Sequence, residues 1–311
     1  MTTSVLLPVL AVLASLSGAL LIAGLVGTRA RATAGRHDHD APRDHALLRI
    51  GAWWLVAGVA AALGAAATTA MFAAISALAL ASYFALAPAQ PRDRALRLAC
   101  YAAVPVQYLF VATRSFDPFV ATLPLVATLG LPLLALRGRD ARDLLDRVSA
   151  CGWGMLACVY CVSHAAAVLM LDIPGFPGRN GLLVAFLVIT AKADDLRHCV
   201  FALLARRSAR VGHPGAPRIA LGVASSAIVA AALGAAFASL TPFPPAVAAM
   251  IGLLLGLLGA LGRFVMSSVA RERTRASPHG DAPWREVLGR PDAVAFAAPA
   301  FFHLLHALYG G

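Results

Sequence analysis

Lys192, the only lysine of 311 residues, stands in an apolar stretch running from Gly181 to Ala205 and is followed by Asp194, Asp195, Arg197 and His198. Ionisable groups at this density are foreign to hydrocarbon, where each costs about 2.5 to 3.5 kcal/mol at a helix centre on insertion scales. They must face protein or water and neutralise one another, and intramembrane charge of this kind signals function by default. Two other polar stretches have matching chemistry. One is Arg206 to Arg218; the other runs from Arg263 through Ser267, Ser268, Arg271 and Glu272 to Arg290 and Asp292. Arg271 and Arg290 are suited to fork a phosphate, and Asp195 and Asp292 to ligate a divalent metal, so together they could bind an anionic headgroup. The alternative is a structural ion-pair network, Lys192 with Asp195 and Asp194 with Arg197 or His198, that packs one helix.

The elements that must position these groups follow from composition. Hydrophobic residues make up 60% of the chain and charged residues 13%, a balance that marks an integral membrane protein. Apolar runs of the length that about 30 Å of hydrocarbon demands fall near 4–27, 49–66, 70–88, 98–113 and 118–136. Others fall near 151–171, 182–204, 219–240, 246–264 and 293–309. The expected fold is therefore all-α and polytopic, about ten transmembrane helices in a single domain over 1–311. Residues 28–49 and 265–292 are expected as polar cytoplasmic loops.

Basic residues set the orientation, since short cytoplasmic loops hold an excess of Arg and Lys. Of the 26 Lys and Arg, 22 fall around every second loop, whereas the intervening loops carry only Arg114 and Arg179. Both termini are thus expected outside the cytoplasm. The net charge of +11 is spread over loop edges near an anionic leaflet, and no basic, aromatic-interleaved soluble module points to nucleic acid. Residues 4–27 lack the positive leader of a secretory signal and read as a retained helix. Arginine in place of lysine, with abundant alanine, suggests a GC-rich bacterial genome and so the bacterial inner membrane.

Other motifs carry less chemistry. Five cysteines, all in expected helices, are no disulfide framework, and Cys158-Val-Tyr-Cys161 reads as packing. His37-Asp-His39-Asp40 has the residue types of a metal tract but reads as solvated loop. Gly252, Gly256, Gly259 and Gly262 line one helix face and permit close approach, either of a helix of the same chain or of a second copy in a homodimer. Residues 136–149 alternate acids and arginines in the manner of a short exposed helix. No duplicated half suggests an inverted-repeat transporter.

The order of segments over roughly 50–309 resembles the phosphatidate cytidylyltransferases, or CDP-diacylglycerol synthases. The likeness is clearest in Trp53-Trp54, Val106-Gln107-Tyr108, Trp153-Gly-Met155 through Ser163-His164, and Phe296-Ala-Ala-Pro299-Ala-Phe301-Phe302-His303. The resemblance implies transfer from CTP to phosphatidate, with magnesium held by carboxylates and phosphate held by Lys and Arg. Asp195 occupies the place of the family's Asn-Asp carboxylate and would be the inherited metal ligand and catalytic residue, joined by Asp292. Lys192, Ser267, Arg271 and Arg290 would contact substrate.

The pattern is degraded elsewhere. The Ser-Pro-x-Lys-Thr motif keeps only Pro214, the family's Gly-Asp is Gly262-Arg263, and the Leu-Asp-Arg-x-Asp motif has Gly289 ahead of Arg290 and Asp292. These changes leave the expected metal pocket three units more positive. A cation about 5 Å from a dication is repelled by about 7 kcal/mol at an effective dielectric of 20. The readings are therefore an active enzyme using CTP and magnesium, a non-catalytic pseudoenzyme binding anionic phospholipid or a membrane partner, and a transporter relaying charge through Lys192 and Asp195.

Overall fold

The computed structural model describes residues 41–85, 93–137, 143–197, 216–275 and 292–309, with isolated positions 18 and 22. The expected helix at 4–27, the His37/His39 tract, the Arg206–Arg210 stretch and Arg290 lie outside the described residues. Among the described residues every regular element is helical, as a chain in hydrocarbon requires, because only a helix satisfies its own backbone there. The helices are α1 (Ala41–Ala62), α2 (Gly64–Ala85), α3 (Arg94–Ala112), α4 (Phe116–Leu136), α5 (Leu144–Met170) and α6 (Asn180–Ala191). They continue with α7 (Ala216–Ala236), α8 (Pro245–Arg275) and α9 (Asp292–Tyr309). Five of them, α2 to α5 and α8, are long and apolar enough to cross a membrane, and α1, α6, α7 and α9 contain shorter apolar helices. The protein is an all-α, multi-pass membrane protein.

Three boundaries differ from those expected. The 28–49 tract is already helical from Ala41, with Pro42 in the first turn, where its missing N–H is tolerated. The polar tract after residue 264 continues α8 to Arg275, since arginine and glutamate are good helix formers. Most consequential, the run at 182–204 is interrupted: α6 ends at Ala191, Lys192 turns with φ −90° and ψ 11°, and helix resumes over 193–197.

The chain divides into two compact units, one of residues up to Gly64 with Gly175–Leu261, the other of Ala65–Pro174 with Gly262–Gly311. In the first, α1 and α6 run antiparallel, and Gly181 lies against the Ala60 carbonyl so closely that a Cβ could not fit. Gly252 and Gly256 of α8 meet α7 at Ala230, and Gly259 meets the Ala191 carbonyl. The glycine face of α8 is thus occupied inside the chain. In the second unit, Phe72, Phe119, Phe301 and Phe302 are fully buried. Tyr108 on α3 donates to the Phe72 carbonyl and accepts from Ser76, both at 2.8 Å, and Gln107 Nε2 donates to the Phe119 carbonyl at 3.0 Å. Gly154 leaves room for the Tyr83 ring. Arg147, from the charged stretch expected to lie exposed, pairs with Asp93 at 2.7 Å, both largely buried. The four described cysteines form no disulfide.

Candidate functional site: a charged break in a membrane helix

The 12 residues of α6 extend about 18 Å, well short of the 30 Å of a hydrocarbon core. The break at Lys192 therefore falls before α6 is long enough to cross such a core by itself. It suits the charges that follow. Lys192 sits at the C-terminal, electronegative end of α6, and Asp194 and Asp195 lie in the first turn of the next helical segment, at its electropositive end. The Lys192 N–H still donates to the Val188 carbonyl, and the Lys192 carbonyl accepts from the Asp195 N–H, both at 3.1 Å. The main chain is thus kept bonded through the turn.

All three side chains are buried: Lys192 is 2% exposed, Asp194 5% and Asp195 2%. Asp194 accepts from Arg197 at 2.7 Å, as the sequence led one to expect. Asp195 accepts from Arg49 Nη2 of α1 at 2.9 Å, a partner 146 positions away in the chain. The Lys192 ammonium lies 4.5 Å from the ring centroid of Trp53, also on α1, in a cation–π contact that is worth about 2 kcal/mol when desolvated. Arg49 and Trp53 are one helical turn apart and so share a face of α1. Sequence reasoning missed both as site residues. Arg49 closes the tract expected as a polar loop over 28–49, and Trp53 carries only part of the family resemblance; their i, i+4 spacing at the start of an apolar run is the available signal.

The other expected site residues belong to the second unit. Ser267, Ser268 and Arg271 come together on one exposed face of α8: both hydroxyls donate to the Phe264 carbonyl, and Arg271 Nη2 donates to Ser268 Oγ at 2.8 Å and Nη1 to Ser267 Oγ at 3.5 Å. Asp292 is the first residue of α9. Arg290 is outside the described residues.

The described donor set does not fit a divalent metal. Among the described residues, Asp194 and Asp195 are each held by a guanidinium, Lys192 lies nearby, and no three His, Cys, Asp or Glu side chains are grouped to ligate a metal. A dication at Asp195 must displace Arg49 and tolerate Lys192 nearby, both electrostatically opposed.

Comparison with known proteins agrees with the fold. The sequence pattern of the cytidylyltransferase family matches residues 48–274, which include α1 with Arg49 and Trp53, the Lys192 break, and Ser267 and Arg271. A protein of Escherichia coli (strain K12), named "Uncharacterized protein YnbB", is 30% identical over 251 residues, covering 76% of this chain and 78% of that one. No solved structure matches the chain. Nearly three quarters of the sequence, with the buried ionic cluster in it, thus follows one family pattern, and the chain belongs to the cytidylyltransferase family.

Proposed function

We propose that this protein is a phospholipid-binding member of its family, which receives the phosphate of an anionic phospholipid, phosphatidate foremost, at the Lys192 break without carrying out metal-dependent transfer from CTP. The observation that carries this reading is the commitment of Asp194 and Asp195 to Arg197 and Arg49, which engages both carboxylates with guanidinium instead of leaving them to ligate a metal. Phosphate is anionic and accepts from guanidinium and ammonium donors. The exposed Ser267, Ser268 and Arg271 face of α8 has the same chemical preference.

A second reading, an active phosphatidate cytidylyltransferase, draws on the family match and on the retention of Asp195 and Asp292. One experiment separates the two: purified protein is incubated with phosphatidate, CTP and magnesium, and CDP-diacylglycerol is sought by mass spectrometry. The proposal expects product no greater than from Asp195→Asn. Robust magnesium-dependent turnover that Asp195→Asn abolishes establishes the enzyme reading instead. Binding is measured in parallel with phosphatidate in detergent micelles, where Lys192→Ala is expected to weaken affinity about tenfold, the loss of one charge-assisted contact of 1.5 kcal/mol or so. Unchanged binding by this variant counts against a headgroup site at the break.

A further inference from the structure

We propose that His164 of α5 and His303 of α9 form a binding site for the free hydroxyl group of an uncharged lipid, held between the two imidazoles. Both residues belong to the second unit, and the site is independent of the headgroup reading. His164 is 0% exposed, so its two ring nitrogens need partners inside the protein. Nδ1 has one, the Tyr160 carbonyl at 2.7 Å. A carbonyl can only accept, so Nδ1 carries the proton and Nε2 of the neutral ring is an acceptor. That Nε2 is buried and has no hydrogen-bond partner among the described residues. Buried polar groups are bonded in folded proteins with few exceptions, and this exception asks for a donor. The local backbone is also unusual: Tyr160 ends a π-helical turn over Leu156–Tyr160, a distortion frequent at functional sites.

The surroundings define that donor. The rings of Tyr160, Phe119 and Phe302 lie 4.6, 4.8 and 5.4 Å from the His164 ring, and among the described residues no carboxylate pairs with His164 or His303. A cationic donor would be buried there without a countercharge, so the donor is neutral. The His303 ring stands 5.4 Å from that of His164 with no hydrogen bond between them. A hydroxyl both donates and accepts, each bond about 2.8 Å long, and so bridges ring nitrogens about 5 Å apart, a span that fits this pair. It donates to His164 Nε2 and accepts an N–H from His303. His303 is exposed, and Ala307 and Leu308, exposed beside it on α9, are apolar, the composition of a surface that meets acyl chains. A hydroxyl that arrives from that side belongs to a lipid. Its source is either a glyceride or an isoprenoid alcohol.

The test uses the full chain, labelled with nitrogen-15 histidine, in micelles of an amine-oxide detergent that has no hydroxyl of its own. Dioleoylglycerol and farnesol are the two probes, and the O-methyl ether of each is its control, alike in shape but with no proton to donate. Two signals are followed, the nitrogen resonance of His164 Nε2, identified by its loss in His164→Phe, and the ligand-induced rise in melting temperature. His303→Phe keeps a ring on the exposed face of α9 and removes its N–H.

An alcohol that binds is expected to move the Nε2 resonance to lower frequency, as when an imidazole nitrogen begins to accept a hydrogen bond, and to raise the melting temperature; its ether is expected to do neither. His303→Phe is expected to weaken the alcohol about tenfold. A response to dioleoylglycerol alone assigns the site to a glyceride, and a response to farnesol alone assigns it to an isoprenoid alcohol. Responses to both support a hydroxyl site that does not select the lipid body. Equal effects of alcohol and ether overturn the site, as does a resonance that neither alcohol moves, which leaves water as the standing donor. Unchanged affinity in His303→Phe overturns the bridge between the two rings. The comparison of alcohol with ether is made on the wild-type chain by melting temperature, so it stands even where His164→Phe fails to fold.

Discussion

Asp195 and Arg49 show how a single pairing decides what a residue can do. A carboxylate at 2% exposure is tolerable because a guanidinium meets it at 2.9 Å, and breaking such a pair strands the buried charge. Arg49→Ala is accordingly expected to lower stability by about 3 to 5 kcal/mol, read as a fall in the denaturation midpoint in detergent. Arg49→Ala combined with Asp195→Ala recovers much of that loss, since no lone charge remains; a double variant as unstable as the sum of the singles argues against the pair. In the second unit, Tyr108→Phe deprives Ser76 and the Phe72 carbonyl of a shared buried partner and is expected to cost about 1 to 2 kcal/mol in the same measurement. Asp195 could be picked from the sequence by its type and setting. Its partner could not, because the i, i+4 spacing of Arg49 and Trp53 marks a shared helix face but does not say which distant charge that face meets.

Between elements, glycine sets how closely helices approach the break. Gly259 of α8 lies against the carbonyl of Ala191, the residue immediately before Lys192, with no room for a Cβ. Gly259→Val must push α8 away from the end of α6, and is expected to destabilise by about 1 to 3 kcal/mol, as overpacking does, and to weaken phosphatidate binding along with it. Gly58 on α1 is the comparison: nothing lies within 4 Å of a Cβ there, so Gly58→Ala is expected to be neutral or stabilising by up to about 1 kcal/mol. Equal effects at the two positions would mean that close helix approach does not shape the site. The glycine spacing on α8 was visible in the sequence, but it fits a helix of the same chain as well as a second copy. The coordinates fill that face with α6 and α7. The break in α6 was likewise hidden, because hydropathy reads 182–204 as one span and does not register a single turn at Lys192.

For the whole molecule, the distribution of arginines predicts the sidedness of the membrane protein. Cysteine introduced at Arg114 or Gly178 is expected to react with a membrane-impermeant thiol reagent applied outside intact cells, and cysteine at Arg139 only after permeabilisation. The reverse pattern would invert the topology and put both termini in the cytoplasm. The sequence by itself determined the all-α membrane class, the approximate position of the described helices and the unusual charge at Lys192, because hydrophobic length and the expense of charge in lipid are local properties. The tertiary structure alone decided that Asp195 is held by Arg49, that Lys192 rests on Trp53, and that two N–H donors of α1 are left unbonded beside them. These facts depend on two helices about 140 residues apart in the chain lying side by side, and side-chain pairing across that distance leaves no local trace in a single sequence.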